Sequence, residues 1–170
     1  MEDLLFMKKN IGKILAVILV VALLATVLCA CVPSDFSKAA ANLKENGYTA
    51  TTVGNGDLVN GANAAAKVAA AAYDITLTGK CDNIVTGVSE DGKQSVTIYY
   101  FDNAKDAKAF NKACKANVKK AKDELKKQKD AGNISEDDYK KALEEMKDVK
   151  FGVSGKAFYY GTKAAVKACN

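Results

Sequence analysis

Residues 14–30 form an almost unbroken apolar run, "ILAVILVVALLATVLCA", directly after the basic stretch "MKKNIGK" at 7–13. At 17 residues the run is at the short limit for a membrane-spanning helix, which needs about 20. A basic segment, an apolar segment and a small residue before a cut are typical of a secretory signal peptide. We therefore predict that residues 1–30 are removed and that 31–170 form a single domain. An uncleaved anchor and plain secretion are the alternatives.

The run ends in Leu28-Cys29-Ala30-Cys31, which resembles the lipobox of bacterial lipoproteins. Leucine stands three residues before the cut, a small residue directly before it, and cysteine after it. The resemblance implies cleavage between Ala30 and Cys31, a diacylglycerol on the Cys31 thiol, and retention on the outer face of the cytoplasmic membrane. This is the arrangement of small surface lipoproteins of Gram-positive-type bacteria. Two acyl chains anchor a protein stably, since each buried methylene contributes about 0.8 kcal/mol.

The remaining chain alternates helical and strand-like patterns. Helices are predicted near the start of the domain, at 63–72, where a strand is the alternative, and in an α-hairpin at about 103–148. Asp91-Gly92 marks a hairpin turn. The order predicts an α+β fold, with an antiparallel or mixed sheet of about 4–5 strands, helices on one face and the α-hairpin inserted. The predicted strands are "YTATTVG" (48–54), "YDITLTG" (73–79), "NIVTGVS" (83–89), "QSVTIYYF" (94–101) and a single, bent "VKFGVSGKAFYYG" (149–161).

The α-hairpin carries the clearest helical pattern in the chain. Six apolar residues spaced by 3, 4, 4, 3 and 4 form one face of its first helix, and Ser135 begins its second. Residues 125–146 also resemble the short helical-hairpin modules called SHOCT-like, in Gly132, Ile134, Ser135, the acids at 136–138 and Tyr139. This resemblance implies contact with another protein. The six apolar residues are Ala107, Phe110, Cys114, Val118, Ala121 and Leu125.

The hairpin also carries the excess of positive charge. Residues 103–150 contain 14 lysines and 10 acids, whereas the rest of 31–170 contains 8 of each. The segment is either a solvated helix pair or a contact surface for anionic lipid headgroups or anionic envelope polymers. Lys119, Lys122 and Lys126 are the candidate contacts. Nucleic acid is not an expected partner, because the lysines are not interleaved with exposed aromatic residues.

The composition excludes most familiar catalytic sites. Histidine and arginine are absent, so the usual acid/base group and the bidentate fork for phosphate are both missing. No motif for a metal, a nucleotide or another cofactor is present, and no catalytic residue is predicted. Among the cysteines, Cys114 lies on the apolar helix face and is predicted to be buried. Cys81 and Cys169 are a candidate disulfide.

Two tyrosine pairs on predicted strands are candidate binding residues. Neighbouring residues of a strand point to opposite faces, so one tyrosine of each pair should be exposed. If the two strands are neighbours, the exposed rings would form an aromatic patch; a structural cross-strand pair is the alternative. The residues are Tyr99, Tyr100, Tyr159 and Tyr160.

Together these features indicate an envelope lipoprotein that binds a partner through its tyrosines, its basic hairpin or both. Two other classes remain open: a carboxylate-based enzyme or accessory subunit of an envelope enzyme, and a structural or assembly protein that uses the α-hairpin.

Overall fold

The computed structural model describes residues 32–54 and 59–170, so the predicted signal segment, its cleavage site and Cys31 lie outside the described residues. One antiparallel sheet organises the described part, with strand order β1-β2-β3-β5-β4. The central strand β3 is apolar throughout most of its length, as expected for a strand whose two faces are both buried. The strands are β1 (Tyr48–Val53), β2 (Cys81–Ser89), β3 (Ser95–Phe101), β4 (Val149–Ser154) and β5 (Ala157–Thr162).

Helices connect and cover these strands, and most begin at a side chain that caps them. Asn103 accepts from the Asp106 amide at the start of α3, and Ser135 accepts from the Asp138 amide at the start of α4. The predicted α+β fold with an antiparallel sheet and an inserted α-hairpin is confirmed. The helices are α1 (Phe36–Glu45), α2 (Val59–Ala71), α3 (Ala104–Asp130), α4 (Glu136–Lys147) and α5 (Lys163–Ala168).

Helices cover both faces of the sheet, whereas the sequence predicted helices on one face. The reason lies in β3, where Ile98 and Tyr100 point to one face and Tyr99 and Phe101 to the other. Both sets are apolar, so each face must be shielded from water. We call the side packed by α1 and α5 the α1 face, and the side packed by α2 and α3 the α3 face.

The α1 face includes the first described residues. Val32 is only 1% exposed and belongs to the same core as Leu43 and Tyr100. The Tyr100 hydroxyl donates a hydrogen bond to the Pro33 carbonyl at 3.1 Å. Leu43 approaches the sheet so closely that a Cβ at Gly87 would lie 2.8 Å from its methyl groups, so a larger residue there would displace this buried side chain. The chain is therefore fixed to the sheet from its first described residue.

The α3 face is organised around an aromatic cluster. The Phe110 ring of α3 lies 5.7 Å from Tyr99, 5.4 Å from Phe101 and 5.4 Å from Phe158, measured between ring centroids. Offset aromatic stacks of this kind add about 0.5–1.5 kcal/mol per pair to the burial of apolar area. Phe110 thus fixes the long helix α3 to the centre of the sheet.

Helix α3 crosses the sheet and continues past it. It starts after β3 at the end of the sheet where Tyr100 pairs with Ala157, here called the Tyr100 end. Helix α4 returns to β4 at the opposite end, where Val149 pairs with Thr162, here called the Val149 end. A helix of 27 residues is about 40 Å long, roughly twice the length of β3. The tip of the α-hairpin therefore projects beyond the Val149 end.

The projecting part of the hairpin has a small core of its own. Leu125 and Met146 are buried between the two helices, and Ile134, Tyr139 and Leu143 pack against them. This core is separate from the aromatic cluster under α3. The two helices are thus held together independently of the sheet.

Residues 73–79, predicted as a strand, form a loop. The alternating apolar residues Tyr73, Ile75 and Leu77 do face the core, where they pack against the aromatic cluster. The backbone, however, pairs with a side chain: the Asp106 carboxylate accepts from the Thr78 amide at 2.9 Å and the Gly79 amide at 2.8 Å. It also accepts from the Thr78 hydroxyl at 2.9 Å. A buried carboxylate thus takes the place that a neighbouring strand would have filled.

Residues 149–161, predicted as one bent strand, form the hairpin of β4 and β5. The turn lies at Gly155, whose φ of 59° is a left-handed conformation that glycine adopts without strain. The segment reverses because the apolar residues on both sides of the turn can then pair, with Val153 opposite Phe158.

We predict that Asp106→Ala lowers the free energy of unfolding by about 2–4 kcal/mol, because the Thr78 and Gly79 amides lose a buried, charged acceptor. Asp106→Asn, which keeps the shape and one oxygen, should cost less. Chemical denaturation monitored by circular dichroism measures both. Equal stability of Asp106→Ala and the unmodified protein would contradict a structural role for this carboxylate.

The same carboxylate predicts acid sensitivity. Burial alone would raise the pKa of Asp106, but hydrogen bonds from Thr78, Asn103 and Gly79 outweigh it and hold the pKa below its ordinary value. A group with a lowered pKa stabilises the fold above its unfolded-state pKa and loses this effect as the pH falls through its folded-state pKa. The stability of the unmodified protein should therefore fall more steeply below about pH 4 than that of Asp106→Asn.

Candidate functional site

A single line of lysines runs along the side of α3 that faces away from the sheet. Seven of them follow one another in steps of 3, 4, 3, 4, 3 and 4 residues, and all seven side chains are exposed. This spacing keeps successive residues on one side of a helix. From first to last the line is about 31 Å long. This lysine stripe consists of Lys105, Lys108, Lys112, Lys115, Lys119, Lys122 and Lys126.

The stripe contains all three lysines that were candidate contacts and adds four more. Lys119, Lys122 and Lys126 lie on its distal part, where α3 leaves the sheet. The four others lie over the sheet and extend the charge toward the Tyr100 end. Their spacing is visible in the sequence, but the exposure of this side depends on how the apolar side packs.

The stripe lysines have no ion-pair partner among the described residues. The next lysine in the spacing, Lys129, turns toward α4, where its ammonium group lies 3.6 Å from a Glu136 oxygen and 4.7 Å from the Tyr139 ring centroid. The exposed acids of α3 are Asp123, Glu124 and Asp130, all in its last third. Lys108, Lys112 and Lys115 therefore have no exposed acidic residue within four positions on α3.

Such a row has a cost for the folded protein. Like charges three or four residues apart on a helix destabilise it by about 0.2–0.5 kcal/mol per pair. The stripe contains six such successive pairs. Within the described residues, no ion pair with the stripe offsets this cost.

The prediction of one exposed tyrosine in each pair is wrong for Tyr99 and Tyr100, and in the second pair it holds only as partial exposure of Tyr160. The strands do pair, with Tyr99 opposite Phe158 and Ile98 opposite Tyr159. However, Tyr99, Tyr100 and Tyr159 are buried, because helices cover both faces. Burial raises the pKa of Tyr99 and of Tyr100, as expected for core hydroxyls. The aromatic patch is an internal cross-strand cluster.

Tyr160 is the exception, since it is only partly buried. It lies in a row across the α3 face with Thr97, Thr86 and Thr51 on one side and Phe151 on the other. Thr51 is exposed and the two other threonines are partly exposed. This hydroxyl row is a part of the α3 face that the helices leave partly open.

The candidate disulfide is also wrong. Cys81 lies in the core of the α3 face, whereas Cys169 lies in the core of the α1 face, so the sheet separates them. Cys81, Cys114 and Cys169 are all free and buried, and the prediction that Cys114 is a core residue is confirmed. Burial raises the pKa of each thiol to about 12.

Within 32–54 and 59–170, no group of three or more cysteine or acidic side chains is arranged to hold a metal ion. None of the helices in these ranges has the length and apolar composition that a membrane-crossing helix requires. Comparison with protein-family models, curated proteins and solved structures finds no match for the chain.

The three buried thiols should resist alkylation in the folded protein. A pKa of about 12 in place of 9.0 reduces the thiolate fraction about a thousandfold at neutral pH, and burial also blocks access. Alkylation with and without denaturant, followed by peptide mass spectrometry, measures each site separately. A peptide pair linked through Cys81 and Cys169 would contradict the separation of these residues by the sheet.

Neutralising the centre of the stripe should stabilise the protein. The triple variant Lys112→Gln/Lys115→Gln/Lys119→Gln removes four like-charge contacts, so we expect the free energy of unfolding to rise by about 1 kcal/mol at low ionic strength. The gain should shrink at about 1 M salt, where charges are screened within roughly 3 Å. Urea denaturation at both salt concentrations tests this.

A matched control is Lys38→Gln/Lys44→Gln/Lys156→Gln, which makes the same charge change at exposed sites outside α3. Lys38 and Lys44 lie near opposite ends of α1, so their effects on the helix dipole offset each other. Equal stabilisation by both triple variants would show that net charge, and not the stripe, is responsible.

Proposed function

We propose that the protein is a lipoprotein held on the outer face of the cytoplasmic membrane by a diacylglycerol on Cys31, and that residues 32–170 act as a binding module at the cell envelope. The supporting sequence feature is the Leu28-Cys29-Ala30-Cys31 motif at the end of the apolar run.

The observation that carries the proposal is the position of this motif relative to the fold. Cys31 is followed directly by Val32, which is 1% exposed in the core of the α1 face. Pro33 accepts a hydrogen bond from Tyr100. The fold thus begins one residue after the proposed lipid, with no spacer between them. A signal peptide cut before Cys31 would leave every described core residue in the mature chain.

The proposed anchor would also orient the domain. Val32 and Pro33 lie on the α1 face beside Tyr100, so the lipid would hold the Tyr100 end of the sheet near the bilayer. The α-hairpin projects from the Val149 end and would point away from the membrane. The distal lysines Lys122 and Lys126 would then be held away from the lipid, where other envelope components are accessible.

We expect Cys31→Ala to abolish incorporation of a labelled fatty acid when the full chain is expressed in a bacterium that processes lipoproteins. The matched control is Cys29→Ala, which should retain the label, because Cys29 would leave with the signal peptide. Labelling of Cys31→Ala would refute the anchor on Cys31. Loss of label in Cys29→Ala would assign the modification to Cys29.

A further inference from the structure

We propose that the lysine stripe of α3 binds a linear, flexible polyanion of the phosphodiester type, such as a poly(polyol phosphate), laid along the helix. The charge pattern supports the binding chemistry itself. The location of the polymer outside the membrane rests on the function proposed above.

The spacing of the stripe fits a polymer more closely than a small anion. Its lysines follow one another about every 5 Å along the helix, over about 31 Å. A single phosphate can contact only one or two of these ammonium groups. A chain with one negative charge per repeat can contact all seven in succession, which makes the total attraction large although each contact is weak.

The residue type fits a flexible ligand. Lysine presents a rotatable, strongly hydrated point charge, whereas arginine presents a rigid fork that selects a fixed bidentate geometry. All 25 basic residues of this chain are lysines. The stripe can therefore follow a polymer in many conformations and does not require one defined shape.

The anchoring bilayer is a poorer partner for the stripe. The helix lies on the α3 face, whereas Val32 leads to Cys31 from the α1 face, so the sheet stands between them. A helix that lies on a membrane also inserts an apolar side between the lipids. The apolar side of α3 is already used, since Phe110, Cys114 and Val118 are buried against the sheet.

Nucleic acid is disfavoured for a different reason. Sequence-tolerant readers of single strands stack bases on exposed aromatic side chains between their basic residues. The aromatic residue of α3, Phe110, is 1% exposed and points into the core. The stripe therefore offers charge without a stacking surface.

Fluorescence anisotropy of a labelled poly(glycerol phosphate), long enough to cover the stripe, tests the proposal with the full chain in neutral detergent micelles. Each phosphate contact to a single-chain polyanion contributes about 0.7 to the slope of log affinity against log salt, so seven lysines predict a slope of about −5. Glycerol 3-phosphate at the same total phosphate concentration should not displace the polymer.

The variants defined above locate the contact. Lys112→Gln/Lys115→Gln/Lys119→Gln should reduce the magnitude of the slope by about 2 and weaken binding roughly a hundredfold at about 0.1 M salt. Lys38→Gln/Lys44→Gln/Lys156→Gln should leave both values unchanged. Because the stripe variant is expected to be more stable than the unmodified protein, a circular dichroism melt separates loss of binding from unfolding. Equal losses in both variants would overturn the proposal.

Two competitors decide the source of the anion. Mixed micelles that carry an anionic phospholipid and displace the polymer at equal charge would assign the stripe to a membrane surface. A single-stranded oligonucleotide that binds more tightly than the polymer would assign it to nucleic acid. Either outcome overturns the proposal, whereas weak competition by both supports it.

The test is independent of the lipid anchor. Polymer binding in micelles does not require a modified Cys31, so Cys31→Ala should bind the polymer with unchanged affinity. Failure of fatty-acid labelling with intact polymer binding would refute the anchor alone. Intact labelling without polymer binding would refute the ligand assignment alone.

Discussion

The arrangement of this protein depends on one requirement, which is that both sides of strand β3 must be shielded from water. Ile98 and Tyr100 are buried on one side and Tyr99 and Phe101 on the other. Each side needs its own helical cover, so the chain supplies α1 and α5 to one face and α2 and α3 to the other. The covering of two faces explains the burial of three tyrosines, the separation of Cys81 from Cys169, and the position of α3.

The same requirement leaves α3 with two different halves. Its first part must lie across the sheet, because Phe110 fills the aromatic cluster. Its second part has no sheet beneath it and is held instead by α4, through Leu125 and Met146. The lysine stripe runs without interruption over both parts. The sheet therefore holds the first part of α3 in place, while the distal part of this lysine-rich helix packs against α4.

Much of this architecture could be predicted from local patterns. The apolar spacing from Ala107 to Leu125 specifies α3, and the alternation around Ile98 specifies β3, because each pattern depends only on neighbours in sequence. The proposed anchor likewise depends on adjacent residues around Cys31. The hairpin bounds were predictable for a similar reason, since Asn103 and Ser135 cap the helices that follow them.

The errors come from contacts between residues far apart in the chain. Residues 73–79 alternate like a strand, but the Thr78 and Gly79 amides donate to Asp106, about 28 residues later, and not to a neighbouring strand. Adjacent tyrosines on β3 do point to opposite faces, but exposure depends on whether a distant helix covers each face. The exposure of the full lysine stripe also could not be predicted from local patterns. Spacing aligns its lysines, but only packing shows that this side of α3 remains uncovered.

On the α1 face, residues from the beginning and the end of the described range pack together. The Asn42 side chain of α1 donates a hydrogen bond to the Cys169 carbonyl, a contact that spans 127 residues. Val32 shares a core with Val166 and Cys169. Contacts of such large sequence separation form slowly, because a long loop must close before they can be made. This half of the core can assemble only after Val166 and Cys169 have been synthesised, so the α1 face remains incomplete until that point.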